Sequence, residues 1–457
     1  MWYKLSYYTI ITDALNTRGD RVIYCSRTGQ ALIIREEVWR LLTTDRLELL
    51  DPADKERLLE VKAIVPQHEN ELLAIVQENK SDGEDSSSLY EVIQISANCQ
   101  LGCDYCGQHH AKDQLPAFMY DNLIARIRAK AQRKKYDRLI IGWFGGEPLM
   151  GLKQIRELTP LLMQIAEELG MKFAAKIVTN GMSLKEDIFL ELTRELGVWH
   201  IEITLDGIAR YHDIRRITKQ GHATFDIILN NLLSIVNRED FEESKCRISI
   251  RCNVDERNEE GVSPLIDLLA EHNLQHKIAY FYPIGVYSWA QNDAQKKSMT
   301  KEEFAAKEID WYMELIQHGF NVSLLPGRVK SVCMAVSPTS DVYDPYGNIF
   351  TCTEVSLTPV YANSEYLSGN LGLPAGTHAL TARVHANWND EILAGKFPCH
   401  SCRMLPVCGG ACPKSWHEDM RACPPSKFNI KEKLQLAYIV SKSDLKELIN
   451  ENEPVLV

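Results

Sequence analysis

Residues 98–106 read NCQLGCDYC, three cysteines at spacing C-x3-C-x2-C with no fourth nearby. A closed structural zinc site takes four ligands, so three suit a metal centre that keeps one corner open. The loop directly follows the apolar, β-rich run EVIQISA (91–97), which places it at the C-terminal end of a strand. Five further runs of this kind follow: DRLIIGWF (137–144), KFAAKIVT (172–179), VWHIEITL (198–205), CRISIRCNV (246–254) and KIAYFYPI (277–284). Amphipathic segments such as PAFMYDNLIARIRAKAQRK and DIFLELTRELG separate them. Six βα units imply parallel strands joined by right-handed crossovers, hence an open or partial barrel. In such barrels the chemistry gathers where the strands end.

The rest of the composition narrows the field. The chain has 457 residues, 45% hydrophobic and 25% charged, as in an ordinary globular protein of several domains. Its apolar runs are broken by charges well short of membrane-spanning length, and MWYKLSYYTI lacks the features of a signal peptide. A cytoplasmic protein without membrane association is expected. The net charge of −11, with no basic stripe, disfavours a nucleic-acid partner. Thirteen cysteines are many for a reducing compartment. Ten fall into two spaced groups, and such clusters usually hold metal. Cys25, Cys246 and Cys252 stand apart and read as small buried residues.

A second motif gives the first its meaning. GWFGGEPLM (142–150) ends the second strand, and paired glycines there let the backbone approach a ligand closely. Backbone carbonyls and Glu147 would then receive an ammonium group. Together the two motifs resemble the radical S-adenosylmethionine enzymes. The family pattern C-x3-C-x-aromatic-C is met by Cys99, Cys103, Tyr105 and Cys106, and its GGEP motif by Gly145, Gly146, Glu147 and Pro148. The resemblance implies a 4Fe–4S cluster whose open iron chelates S-adenosylmethionine, and a 5′-deoxyadenosyl radical released by one-electron reduction. It places Tyr105 by the adenine and Gly145–Glu147 by the methionyl amine. Thr204 in ITLDG and Arg215 in HDIRR are candidates for cofactor contacts, Arg215 as a carboxylate partner. Thr179 in VTNG and Asn253 read as ordinary strand-end residues, and His109 and His110 as loop residues rather than zinc ligands.

The C-terminal region is rich in Gly, Pro and Cys from about Pro326. Cys333, Cys352, Cys399, Cys402, Cys408, Cys412 and Cys423 resemble the SPASM extension of radical enzymes that act on peptides and proteins. The resemblance implies two auxiliary 4Fe–4S clusters, one on Cys399, Cys402, Cys408 and Cys423, the other on Cys333, Cys352 and Cys412. The second has three ligands, leaving an iron open to water or a substrate thiolate.

The expected architecture is therefore α/β: a small N-terminal α+β module over 1–80, a linker over 81–90, a partial (β/α)6 barrel over 91–325, a SPASM domain over 326–440 and a C-terminal helix or tail over 441–457. The module has the length and order of a leader-peptide-binding domain, winged-helix-like, although a structural cap has them too. In sulfatase-maturing relatives an acidic base follows the second auxiliary cysteine. Here Thr353 stands there and Glu354 comes next, which argues against serine-type oxidation. The expected function is maturation of a ribosomally made precursor peptide by a radical cross-link, thioether first, carbon–carbon or carbon–oxygen next, with a low-potential flavodoxin or ferredoxin as electron donor. A maturase for a larger protein, such as a sulfatase or a quinone-bearing subunit, is the alternative. An iron–sulfur carrier or scaffold is the alternative from another class. YFYPIGVY (280–287) marks the barrel interior expected to meet substrate.

Overall fold

The computed structural model describes residues 2–85, 87–287, 293–373 and 383–443. The chain divides into two units: Met1–Asp85 with Lys301–Val336 and Asn387–Val457, and Ser86–Thr300 with Ser337–Ala386.

The first unit opens with strands β1 (Tyr3–Leu5), β2 (Thr9–Ile11), β3 (Arg21–Cys25) and β4 (Gln30–Ile34). Helices α1 (Glu36–Thr43) and α2 (Pro52–Glu60), strand β5 (Ile64–Pro66) and helix α3 (Glu71–Asp85) follow. β2, β3 and β4 form an antiparallel meander, and β1 pairs antiparallel with β5. Local signals set the helix starts. Asp51 accepts the Ala53 amide ahead of Pro52, and Glu36 and Glu37 face the positive end of α1. Ile23, Ile34, Val38, Leu42, Leu58 and Ile64 close a shared core.

The expected linker over 81–90 is corrected. Helix α3 runs through its first half to Asp85, and a strand begins at Ser88. The polar composition misled because the helix is held from one side. Ile75 packs in a core with Trp388, Ile392 and Phe397, and tertiary packing of this kind stabilises helices more than propensity does.

The second unit carries the parallel strands: β6 (Ser88–Ser96), β7 (Arg138–Gly145), β8 (Lys172–Thr179), β9 (Val198–Thr204), β10 (Arg247–Val254) and β11 (Tyr280–Gly285). Between them lie α4 (Tyr120–Ala131), α5 (Leu152–Glu168), α6 (Glu186–Arg194), α7 (Ala209–Arg215), α8 (Phe225–Val236) and α9 (Val262–Glu271). The strands stand in sequence order, each parallel to the next. Leu139, Ile141, Ile177, Ile201, Ile203, Ile248 and Ile250 are fully buried. The alternate residues, among them Gly142, Lys176, Glu202 and Arg251, point to the opposite face of the sheet. This is the expected partial (β/α)6 barrel, with its strand ends gathered at one rim.

The sheet continues past β6 through β12 (Val342–Tyr343), β13 (Asn348–Phe350) and β14 (Leu367–Asn370). β12 lies parallel to β6. The region expected as one domain over 326–440 is therefore divided: β12–β14 extend the barrel sheet, 337–386 falls in the second unit, and the remainder belongs to the first. There α10 (Lys301–Gln317), α11 (Trp388–Leu393), α12 (Leu405–Cys408), α13 (Pro413–His417) and α14 (Ser426–Ser441) complete the fold. Asn429 of α14 donates to the Ala305 carbonyl and to Glu308 of α10, and Lys433 pairs with Glu308 at 2.8 Å. The tail expected over 441–457 lies outside the described residues from 444 on. Among the described residues no helix is long and apolar enough to cross a membrane.

Candidate functional site

The cysteine loop after β6 is pinned on two sides at the barrel rim. On one side its backbone packs on the second motif. The Gly146 amide donates to the Ser96 carbonyl at 3.1 Å, and the Glu147 amide to the Asn98 carbonyl at 2.8 Å. A Cβ on Gly146 would lie 2.7 Å from the Asn98 oxygen and 2.9 Å from that of Ala97. Gly145 has φ +116°, and its Cβ would meet the Ser96 oxygen at 2.8 Å. The paired glycines thus admit the cysteine loop itself, where close approach of a ligand was expected. On the other side Gly102 donates to the Ile217 carbonyl at 2.9 Å, Asp104 to that of Arg215 at 3.2 Å, and Lys219 to that of Gln100 at 3.0 Å.

Glu147 is buried, and its pKa is pushed up by that burial. Its carboxylate accepts from the Thr179 hydroxyl at 2.6 Å, the Asn180 amide at 2.7 Å and the Leu149 amide at 3.0 Å. Three of its roughly four lone-pair sites are therefore occupied from within the chain. Thr179, read from sequence as an ordinary turn residue, ties the end of β8 to this carboxylate. Pro148 is buried behind it at the start of a short 3₁₀ turn.

Tyr105 is the centre of a second network. Its hydroxyl donates to Asp206 at 2.6 Å and accepts from Arg216 at 2.5 Å and from the Asn253 amide group at 3.1 Å. Asp206 is fully buried, yet Arg216 and Arg215 hold its pKa below the usual range against the upward push of burial. Asp206 also accepts from the Asn253 backbone at 2.8 Å. Burial lowers the His212 pKa to about 4, so the ring is neutral. Its Nδ1 accepts the Asp206 amide, which leaves Nε2–H to donate to Thr224 at 3.1 Å. Thr204, at the end of β9, is buried and pairs in register with Arg251.

The two arginines of HDIRR part company. Arg215, the residue picked from sequence, stacks over the Tyr105 ring at 4.8 Å, pairs with Asp255 at 3.2 Å and donates to the Asn253 carbonyl at 2.8 Å. Its Nε, like that of Arg216, is buried without a hydrogen-bond partner. Arg216, which the sequence reading passed over, is buried where its charge acts on Cys99, Cys103 and Cys106 together. Its Nε is buried without a hydrogen-bond partner. No sequence signal separates adjacent arginines at the end of α7; only the turn of the helix does.

Cys99 is buried, and Cys103 and Cys106 are half-buried. Burial raises the Cys99 thiol to about 12 and Cys103 to about 11, so deprotonation would accompany metal binding. Asn180 donates to the Cys99 sulfur at 3.8 Å, and His110 Nε2 lies 3.8 Å from that of Cys106. Among the described residues no three His, Cys, Asp or Glu side chains are grouped to hold a single metal ion. Three soft thiol donors beside a buried arginine fit an iron–sulfur cluster better than a closed zinc site, which takes four ligands.

In the first unit, Cys399, Cys402, Cys408 and Cys423 line one cavity with Met404, Trp416 and Lys427. The turn after Cys408 makes it: Gly409, Gly410 and Ala411 all have positive φ. A Cβ on Gly410 would strike Trp388 at 2.6 Å. Trp388 and Trp416 donate their indole N–H groups to the Gly409 and Gly410 carbonyls at 2.9 and 2.8 Å, fixing the turn. Lys427 donates to the Cys423 sulfur at 3.4 Å. The cavity lining holds four thiols and no carboxylate, a donor set that fits a 4Fe–4S cluster. Cys333 and Cys412 belong to the first unit and Cys352 to the second.

The model of the Radical SAM superfamily matches residues 93–239. The serine-type anaerobic sulfatase-maturating enzyme of Bacteroides thetaiotaomicron is 28% identical over 156 residues, 32% of this chain and 36% of that protein. The tungsten-containing aldehyde ferredoxin oxidoreductase cofactor-modifying protein of Pyrococcus furiosus is 27% identical over 173 residues, 37% and 44% of the two chains. The chain thus spans less than half the length of the curated relatives it matches. The solved structure of native anSMEcpe with bound AdoMet superposes with a TM-score of 0.57 at 18% identity, over 78% of this chain and 97% of that one. Residues 93–239, with the cysteine loop, the GGEP turn and the strand ends they meet, therefore carry a radical SAM domain.

Proposed function

We propose that the protein is a peptide-modifying radical S-adenosylmethionine enzyme with a SPASM extension, acting on a ribosomally made precursor and closing a cross-link, a thioether in the first instance. The observation that carries the reading is the joint placement of three thiols, the GGEP turn and the buried Arg216 at one rim of the barrel. Cys99, Cys103 and Cys106 would hold the first cluster. Arg216 would offer a positive charge to the carboxylate of S-adenosylmethionine, and the Gly145–Glu147 turn would receive its amine. When bound, the cluster and S-adenosylmethionine together supply the radical that removes hydrogen from the substrate.

The chain's own residues orient and shield. Thr179 and Asn180 lock Glu147, while Asp206, Arg216 and Asn253 lock the Tyr105 hydroxyl, so the loop keeps one conformation. Cys399, Cys402, Cys408 and Cys423 would hold an auxiliary cluster. Such clusters give the electron left after bond formation a place to go. At the N-terminus, the meander of β2, β3 and β4 has strand edges suited to capture an extended leader by strand addition.

The test is anaerobic incubation of the iron-loaded protein with dithionite and S-adenosylmethionine. 5′-Deoxyadenosine should form, and Cys106→Ala should abolish it. A fully loaded wild type that forms none is an electron carrier or scaffold instead.

A further inference from the structure

The barrel interior holds a cation stacked on aromatic rings. Lys176 sits in the middle of β8, three residues before Thr179 and so about 10 Å below the rim at parallel-strand spacing. It is half-buried, on the face opposite the fully buried Ile177. Among the described residues it forms no ion pair. Its ammonium lies over the rings of Tyr90 at 4.7 Å and Phe144 at 5.8 Å. The neighbouring position on β7, paired in register with Lys176, is Gly142. A Cβ there would lie 2.6 Å from the Tyr90 hydroxyl and 3.0 Å from the Phe144 ring. The glycine lets two aromatic side chains close over the strand and wall the lysine on one side.

The charge of Glu202, on the adjacent strand, acts on Lys176 from beyond ion-pair distance. Glu202 accepts from the Tyr282 hydroxyl at 2.5 Å and faces Arg251 at 3.7 Å. His200, in register with Lys176, bonds to Ser249 at 3.0 Å, and burial lowers its pKa to about 4, so it adds no charge. Arg251 keeps 38% of its side chain accessible and shares the rung of Thr204. An ammonium inside a barrel, desolvated enough for its pKa to fall and stacked on two rings, gains most from an anion that enters from outside.

Resting on the peptide-maturase reading, we infer that Lys176, walled by Tyr90 and Phe144, is a specificity-determining subsite that takes a carboxylate of the substrate peptide close to the residue attacked at the rim. The anion is an Asp or Glu side chain or the peptide's C-terminal carboxylate. Overall charge does not supply the preference: the chain carries −11 and repels acidic peptides at its surface.

The test is affinity selection with the iron-loaded protein, without turnover. The probes are equimolar pools of short acetylated peptides that differ only in Asp and Glu against Asn and Gln, each as C-terminal amide and as free acid, with bound peptides counted by mass spectrometry. The wild type should enrich carboxylate-bearing members about fivefold or more. Lys176→Met should bring the ratio to about one, and Lys176→Arg should keep it. The amide and free-acid arms tell a side-chain carboxylate from a terminal one. No enrichment by the wild type, or undiminished enrichment by Lys176→Met, overturns the inference. If Lys176→Met fails to load iron, Lys176→Gln is read by the same ratio. Loss of 5′-deoxyadenosine formation sinks the radical reading alone, since the selection involves no cleavage of S-adenosylmethionine.

Discussion

Gly146 is the residue on which the geometry of the site turns, because its missing Cβ is the space occupied by the Ala97 and Asn98 carbonyls. Gly146→Ala should displace the cysteine loop and lower iron incorporation at the first cluster, read as iron and sulfide per chain after reconstitution. An unchanged iron content would show that the loop yields cheaply. Tyr105 makes a different prediction. Tyr105→Phe keeps the ring under Arg215 but removes the hydroxyl that joins Asp206, Arg216 and Asn253. A buried donor or acceptor left without its partner costs about 1–3 kcal/mol, and more when it is charged. The loss is measured by denaturant unfolding of the reconstituted protein. At this scale the sequence was only partly legible. The cysteines and GGEP announce themselves by spacing, whereas Arg216 is told from Arg215, and Thr179 from any strand-end threonine, only by direction in space.

Between elements, the barrel edge is secured by buried charge. Lys130 of α4 contacts Glu91 of β6 and pairs with Asp341 at 3.0 Å, just before β12. Arg126 and Arg383 add pairs to Asp341 at 2.8 and 3.0 Å. Lys130→Met leaves two buried carboxylates with less compensation and should cost about 3–5 kcal/mol, read by unfolding. The two acids respond oppositely to pH. Burial, with Asp341 adding to it, pushes the Glu91 pKa up to about 7. The folded protein then holds a proton that the unfolded chain releases near its ordinary value of 4.5, so this contribution is full below 4.5 and is lost as pH rises toward 7. Against the upward push of burial, Lys130, Arg126 and Arg383 hold Asp341 well below the usual range, so its contribution is present above that range and lost in acid. Glu91→Gln should flatten the stability profile between about pH 4.5 and 7 while leaving the acid limb in place. A slope that persists in the variant assigns it to another group. The six strands were legible because apolar runs alternate with amphipathic ones. The pairing of β12 with β6 was not, since two residues of strand carry no periodicity and their partner lies some 250 positions earlier. Helix α3 hid for the converse reason: its polar face resembles a linker, and its apolar face is satisfied by residues near 390.

For the molecule as a whole, iron is expected to be part of the fold. The first unit gathers four thiols around one cavity beneath Trp388 and Trp416. Replacing Cys399 and Cys423 together should remove roughly four iron atoms per chain, one cluster's worth, and lower the unfolding temperature, because binding energy at a structural site is folding energy. Iron content equal to wild type would break the assignment of these four ligands. The proposed radical chemistry rests on an iron that Cys99, Cys103 and Cys106 would leave unsaturated. Electron–nuclear double resonance on the reduced protein, with S-adenosylmethionine isotopically labelled at its amine and carboxylate, measures it directly. Hyperfine coupling from both groups to one iron is expected in the wild type and should be gone in Cys99→Ala. A reduced, fully loaded wild type with no coupling, or coupling that survives loss of Cys99, would contradict the proposed chemistry.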